Sequence, residues 1–219
     1  MKERCAKEAL KYIKNNSVVG LGGGSTISYL VKFIKESGMN VKIVTHSFQT
    51  EQLSIENGLN VVPLWSVNHV DIAFDGCDEV DLKLNALKSG GAIHTKEKII
   101  GKMADEYVLL VDESKVSEKL TFKYPVVLEI FKESIGYVSK KILELGGNPV
   151  LRKSSEKDGF VVSDNGLVIM DVFFKENSVE NIQKLHDEIM EITGVVDISL
   201  FCNVATKVIC VTENGFKNF

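Results

Sequence analysis

Apolar residues alternate between helical and strand spacing along this chain. Ala6, Ala9, Leu10 and Ile13 stand at i, i+3, i+4 and i+7, which predicts a helix over 2–14 with one buried face. The next apolar run, Val18-Val19-Gly20-Leu21, predicts a strand that opens directly into a glycine loop. Ile27, Leu30, Val31 and Ile34 then restore the helical period, and Gly38 supplies a stop. Strands are predicted at 41–44, 60–64 and 70–74, with a short helix over 48–57 between the first two. Residues 95–104 read as a helix, and Tyr107 to Val111 as a fully apolar strand. Strands that alternate with helices predict a mostly parallel, Rossmann-like α/β sheet with helices on both faces. Ligands bind such sheets at the loops that follow the strands' carboxyl ends.

The pattern changes near Pro125. A strand at 126–131, a helix at 134–145, strands at about 149–153 and 167–174, a helix at 178–192 and a strand at 195–201 follow in order. The connection 154–166 is polar, with turn signals at Asp158-Gly159 and Asn165-Gly166. This β-α-β-β-α-β succession predicts an inserted ferredoxin-like α+β domain over 126–202. Residues 205–212 form one more strand, expected to return to the first sheet. Residues 1–125 and 203–219 therefore make the α/β domain.

Composition narrows the function classes. The chain has 219 residues, with 26 basic against 30 acidic side chains and a net charge of −4. Arg4 and Arg152 are the only arginines, which disfavours a nucleic-acid partner. The longest uncharged run, 15–31, holds four glycines and several polar residues, so no membrane span is expected. The charged N-terminus lacks a signal core, and Cys5, Cys77, Cys202 and Cys210 show no paired spacing. A reduced, cytoplasmic protein is expected.

Four stretches could carry chemistry. Gly20-Leu21-Gly22-Gly23-Gly24-Ser25-Thr26 joins a strand to a helix, where backbone N–H groups and hydroxyls can hold a phosphate. A tight turn with Ser25 as N-cap is the plain alternative. The loop lacks the lysine of a P-loop and the third glycine of a dinucleotide fingerprint. Asp75-Gly76-Cys77-Asp78-Glu79-Val80-Asp81 follows a buried strand, and its carboxylates repel unless cations or ligand hydroxyls intervene. An acidic surface turn or a divalent-metal loop is the alternative, although the alternate acids of an EF-hand are absent. Lys88-Ser89-Gly90-Gly91-Ala92 precedes Thr95-Lys96-Glu97-Lys98. Here a lysine could polarise an oxygen, Thr95 could cap the next helix, and Glu97 would sit in that helix's first turn. Asp112-Glu113-Ser114-Lys115 places a fourth cation after a strand. Each lysine alone also reads as a solvated surface charge. The histidines, His46, His69, His94 and His186, are scattered without metal-ligand spacing and read as structural or solvated. Carboxylate neighbours disfavour Cys77 as a nucleophile.

Together, G-x-G-S-T, D-G-x-D-E, K-x-G-G with T-x-E-K, and D-x-S-K, in this order, resemble ribose-5-phosphate isomerase of the A type. The likeness extends over nearly the whole chain. It departs from the family's usual pattern at Gly23, Cys77, Ser89 and His94. The resemblance implies interconversion of ribose 5-phosphate and ribulose 5-phosphate through an enediolate, in the non-oxidative pentose phosphate pathway. It implies no metal, no cofactor, a small-molecule pentose 5-phosphate substrate and a homodimer or homotetramer. By residue-wise match Glu97 is the base, Lys88 stabilises the enediolate oxygen, Asp75 assists ring opening, and Asp78 holds hydroxyls and orients Lys88. Gly23, Gly24, Ser25, Thr26, Gly76, Cys77, Ser89, Gly90, Gly91 and Lys115 fall among the substrate-binding positions. A sugar-phosphate deaminase, a coenzyme A transferase and a non-catalytic sugar-phosphate sensor remain as alternatives on a related fold.

Overall fold

The computed structural model describes residues 1–155 and 158–219, so Glu156 and Lys157 of the polar connection lie outside the described residues. In chain order the first elements are α1 (Lys2–Leu10), β1 (Val18–Leu21), α2 (Ser25–Ser37), β2 (Lys42–Thr45), α3 (Phe48–Glu56), β3 (Asn60–Val61) and β4 (Val70–Asp75). Two short strands, β5 (Glu79–Asp81) and β6 (Ala86–Leu87), precede α4 (His94–Met103) and β7 (Ala104–Asp112). Then come β8 (Val116–Ser117), β9 (Val126–Ile130), α5 (Ile135–Glu144), β10 (Asn148–Leu151), β11 (Val168–Phe173), α6 (Ile182–Met190) and β12 (Val195–Ile198). The chain closes with β13 (Leu200–Phe201), β14 (Lys207–Val211) and β15 (Phe216–Asn218).

These elements group into two compact units. The first holds Met1–Cys77, Lys96–Val116 and Asn203–Phe219; the second holds Asp78–Thr95 and Ser117–Cys202. By compactness, residues 78–95 and 117–125 thus go with the second unit rather than with the α/β unit in which the sequence reading put them.

The first unit is a seven-stranded sheet ordered β15-β14-β7-β4-β1-β2-β3. All its pairings are parallel except the edge pair β14–β15. The returning strand β14 lies beside β7, pairing Lys207 with Val108 through to Val211 with Asp112. Strand order reverses about β1, which pairs with β2 on one side and β4 on the other. That switch point leaves a crevice at the carboxyl ends of the strands. The core joins Ala6 and Ala9 of α1 and Ile27, Leu30 and Ile34 of α2 to Val19, Leu21, Ile43, Phe74 and Val108 of the sheet. Gly38 caps α2 in the left-handed conformation at φ 66°, as its spacing predicted. Helix α1 ends at Leu10, short of residue 14. Asn16 there is left-handed, and its N–H donates to the Asn40 carbonyl at 2.6 Å. Ile13 still reaches the core from that turn.

The second unit contains an antiparallel sheet ordered β10-β11-β9-β12. With β9 as its first strand this is the ferredoxin-like order 4-1-3-2. Val138 and Ile142 of α5 and Ile182, Leu185 and Ile189 of α6 bury against Leu128, Ile130, Met170 and Val172. On the opposite face Val127 and Ile169 are covered by Ala92 and Val161 of the same unit. The predicted strand 195–201 divides at Ser199. Val195–Ile198 pairs with β9, whereas Leu200–Phe201 leaves to pair with β6 in a second small sheet, β13-β6-β5-β8.

Candidate active site

In the first unit, the carboxyl ends of β1, β2, β4 and β7 deliver side chains to one sheet edge. Gly22 follows β1 and donates its N–H to the Phe74 carbonyl at 2.8 Å. A Cβ there would stand 1.9 Å from Asp75 Oδ1, so glycine is what lets this loop lie against Asp75. Gly24, at φ 90°, is the N-cap of α2, and no side chain caps the helix. Ser25 is therefore the first helical residue rather than the cap, and its side chain is exposed beside open backbone N–H groups. Such an end is built to receive an anion. Thr26 and Lys115 line a common cavity of about 250 Å³ with Lys2, Asp112 and Leu110. Lys115 Nζ also donates to the Cys77 carbonyl at 2.6 Å, which pins the acidic loop.

Asp75 ends β4 and is 3% exposed. Its Oδ1 accepts from the Gly76 N–H at 2.8 Å and its Oδ2 from the Tyr107 hydroxyl at 3.1 Å. Burial first, then the Asp75 and Glu97 charges, hold the Tyr107 phenol well above its ordinary range, so it remains a proton donor. Glu97 stands in the first turn of α4 and is buried. His46, in the turn between β2 and α3, places Nε2 3.5 Å from Glu97 Oε1 and 4.0 Å from Asp75 Oδ2. Its ring is 2% exposed. From sequence alone His46 reads as structural or solvated, and Tyr107 as an ordinary member of an apolar strand. Fifty-one positions separate His46 from Glu97 in the chain, and Tyr107 sits in an apolar strand, so neither carried a local signal.

In the second unit, Asp78 Oδ2 accepts from the backbone N–H of Ser89 at 2.6 Å and of Gly90 at 3.1 Å. Asp78 thereby fixes the loop that carries Lys88. Lys88 is buried, donates its backbone N–H to the Ser199 carbonyl at 3.0 Å, and holds Nζ 5.8 Å from the Phe201 ring centre. Ser89 Oγ donates to the Pro125 carbonyl at 2.5 Å, so this departure from the family pattern braces the loop from within. Arg152 adds to the brace, donating to the Ser89 and Gly90 carbonyls while forked on Asp171. The Gly90 N–H is already engaged by Asp78, while Gly91 is exposed.

Two expectations change here. The four close carboxylates of the acidic stretch are not left to repel one another. Glu79 Oε1 accepts from Ser117 Oγ and the Thr121 N–H, and Asp81 accepts from Lys83, Asn85 and the Asn85 amide. Thr95 is not a cap either. It lies inside α4, which begins at His94, and its hydroxyl donates to Glu129. His94 is fully buried with Nε2 3.3 Å from the Asp197 carbonyl, a structural position.

The family model for ribose 5-phosphate isomerase A (phosphoriboisomerase A) matches residues 42–215. The chain belongs to this family. The curated ribose-5-phosphate isomerase A of Methanosarcina acetivorans is 41% identical over 94% of this chain and 88% of its own length. That of Methanocaldococcus jannaschii is 38% identical over 99% and 96%. The solved structure of the Methanocaldococcus jannaschii isomerase superposes with a TM-score of 0.92, covering 100% of this chain and 97% of that one. A D-ribose-5-phosphate isomerase solved in complex with phospho-erythronic acid reaches 0.93 at 34% identity, covering 100% and 96%. The isomerase A likeness therefore extends across both units. No described helix is long and apolar enough to cross a membrane.

Proposed function

We propose that this chain is an aldose–ketose isomerase that interconverts D-ribose 5-phosphate and D-ribulose 5-phosphate, a reaction of the non-oxidative pentose phosphate pathway. The observation that carries this reading is full-length membership of the isomerase A family, together with a buried Glu97 and Asp75 at the switch-point edge. Glu97 takes the proton from C2 of the open-chain aldose. The electron pair moves into the C1–C2 bond, and negative charge collects on the C1 oxygen. Glu97 then returns the proton to C1, while the O2 proton passes to O1 and C2 becomes the ketone. A base working across one small molecule needs only a short reach between adjacent carbons.

By family match, Lys88 stabilises the enediolate oxygen. Asp75 assists ring opening, with Tyr107 holding its carboxylate in place. Asp78 orders the lysine loop. Gly23, Gly24, Ser25, Thr26 and Lys115 hold the substrate, the first four at its phosphate end. Gly76, Cys77, Ser89, Gly90 and Gly91 fall among the remaining substrate-binding positions. Catalysis uses no metal or cofactor, and the working form is a cytoplasmic homodimer or homotetramer. The test is to mix the protein with ribose 5-phosphate in the presence of a chelator and follow ketose formation. Steady turnover supports the reading, and folded protein without turnover removes it. Ammonia release from an amino-sugar phosphate would instead support a deaminase.

A further inference from the structure

We propose that His46, Asp75 and Glu97 form a binding site for a zinc-class transition-metal ion, and that such an ion switches the isomerase off. The three side chains come from separate elements, namely the β2–α3 turn, the end of β4 and the first turn of α4. One donor atom from each lies within 4.8 Å of the other two. His46 Nε2 stands 3.5 Å from Glu97 Oε1 and 4.0 Å from Asp75 Oδ2. Zinc–ligand bonds of about 2.0–2.2 Å in a tetrahedron put ligand atoms roughly 3.3–3.6 Å apart. The His46–Glu97 distance already meets that spacing, the His46–Asp75 distance exceeds it by about half an ångström, and the two carboxylates lie within 4.8 Å of each other.

His46 is the independent pointer. Its ring is 2% exposed, and neither Nδ1 nor Nε2 has a hydrogen-bond partner. A buried polar group in that condition carries a desolvation penalty that a bond at Nε2 removes. The donor set is one imidazole and two carboxylates. It lacks the thiolates that select copper(I) and the oxygen cage that suits magnesium, and it matches zinc or cobalt(II). Tyr107 and the Gly76 N–H already orient Asp75 from behind, as outer partners do in metal sites. Three protein ligands leave a fourth position for water.

The reaction needs a lone pair on Glu97, and coordination occupies it. The effect on turnover rests on the isomerase reading, whereas binding does not. The experiment titrates metal-free protein with Co²⁺ and reads the visible bands of the four-coordinate ion, then displaces it with Zn²⁺. One ion per chain is expected. Loss of an outer partner alone typically weakens such sites about 10–100-fold, so His46→Ser, which removes a direct ligand, is expected to weaken binding by about 100-fold or more. Glu97→Gln should weaken it comparably, and it carries the same test if the serine variant does not fold. In parallel, Zn²⁺ should halt ribose 5-phosphate turnover by wild type and chelator should restore it. The residual turnover of His46→Ser should resist the same Zn²⁺ concentration. Folded wild type without Co²⁺ bands, or variants that bind as tightly as wild type, would overturn the site. Binding without any isomerase turnover would instead remove the isomerase reading and leave the site standing.

Discussion

Replacing Gly22 with alanine tests how tightly the sheet edge is built. The added Cβ would lie 1.9 Å from Asp75 Oδ1, 2.1 Å from Cγ and 2.6 Å from Oδ2. Ordinary contact begins at 3.4 Å, so the methyl and the carboxylate must part by about 1.5 Å. Gly22 is not among the positive-φ glycines, so the penalty is one of contact and not of backbone strain. Moving Asp75 breaks its bonds to the Gly76 N–H and to the buried Tyr107 hydroxyl. Overpacking of a dense site costs about 1–3 kcal/mol, and the two lost hydrogen bonds roughly as much again. At about 2–4 °C per kcal/mol for a chain of this size, the melting temperature should fall by roughly 5–20 °C. A misplacement of this size at a reacting centre costs on the order of 100-fold in rate. Thermal melts by circular dichroism and steady-state ribose 5-phosphate kinetics read the two effects. A variant within about 2 °C and about threefold of wild type, the range of a surface substitution, would refute the reasoning.

Tyr107→Phe should cost about 1–3 kcal/mol and lower kcat more than it raises KM, because the phenol positions Asp75 and does not contact the phosphate end. Lys88→Met should lower kcat by about 100-fold or more while the protein stays folded, checked by initial rates and circular dichroism. The Cys5 thiol is pushed up from 9.0 to about 12, chiefly by burial, so the folded state holds its proton more tightly than the unfolded chain does. Stability from this group is complete below pH 9 and is lost as pH rises towards 12, at about 1.4 kcal/mol per pH unit. Urea melts across that window should show a shallower decline for Cys5→Ala. Gly136→Ala, whose Cβ meets nothing within 4 Å in α5, should stabilise by about 0.5–1 kcal/mol in the same melts.

Where periodicity and punctuation agreed, the chain could be read directly. The β1–loop–α2 unit and its Gly38 stop are in place because apolar spacing, loop glycines and cap all point to one geometry. Helix α6 shows the limit of periodicity. Val179 keeps the apolar spacing and packs on the core, but Asn181 caps the helix by accepting from the Lys184 N–H, so helix begins only at Ile182. The break at Ser199 was not legible, since it depends on Leu200 and Phe201 finding β6 more than a hundred residues earlier. The motif residues were legible as motifs. Their supports, Tyr107 behind Asp75 and Arg152 beneath Ser89, come from distant strands with ordinary local sequence.

The central claim is that Glu97 carries the proton between C2 and C1. Ribose 5-phosphate deuterated at C2, followed by NMR, tests it most directly. Wild type should show a primary isotope effect and transfer of the label to C1 or to water. Glu97→Gln should still bind the sugar phosphate but lose about 100–10,000-fold in label transfer and turnover together, the range for a general base. A glutamine variant that converts the labelled sugar at close to the wild-type rate would contradict the account.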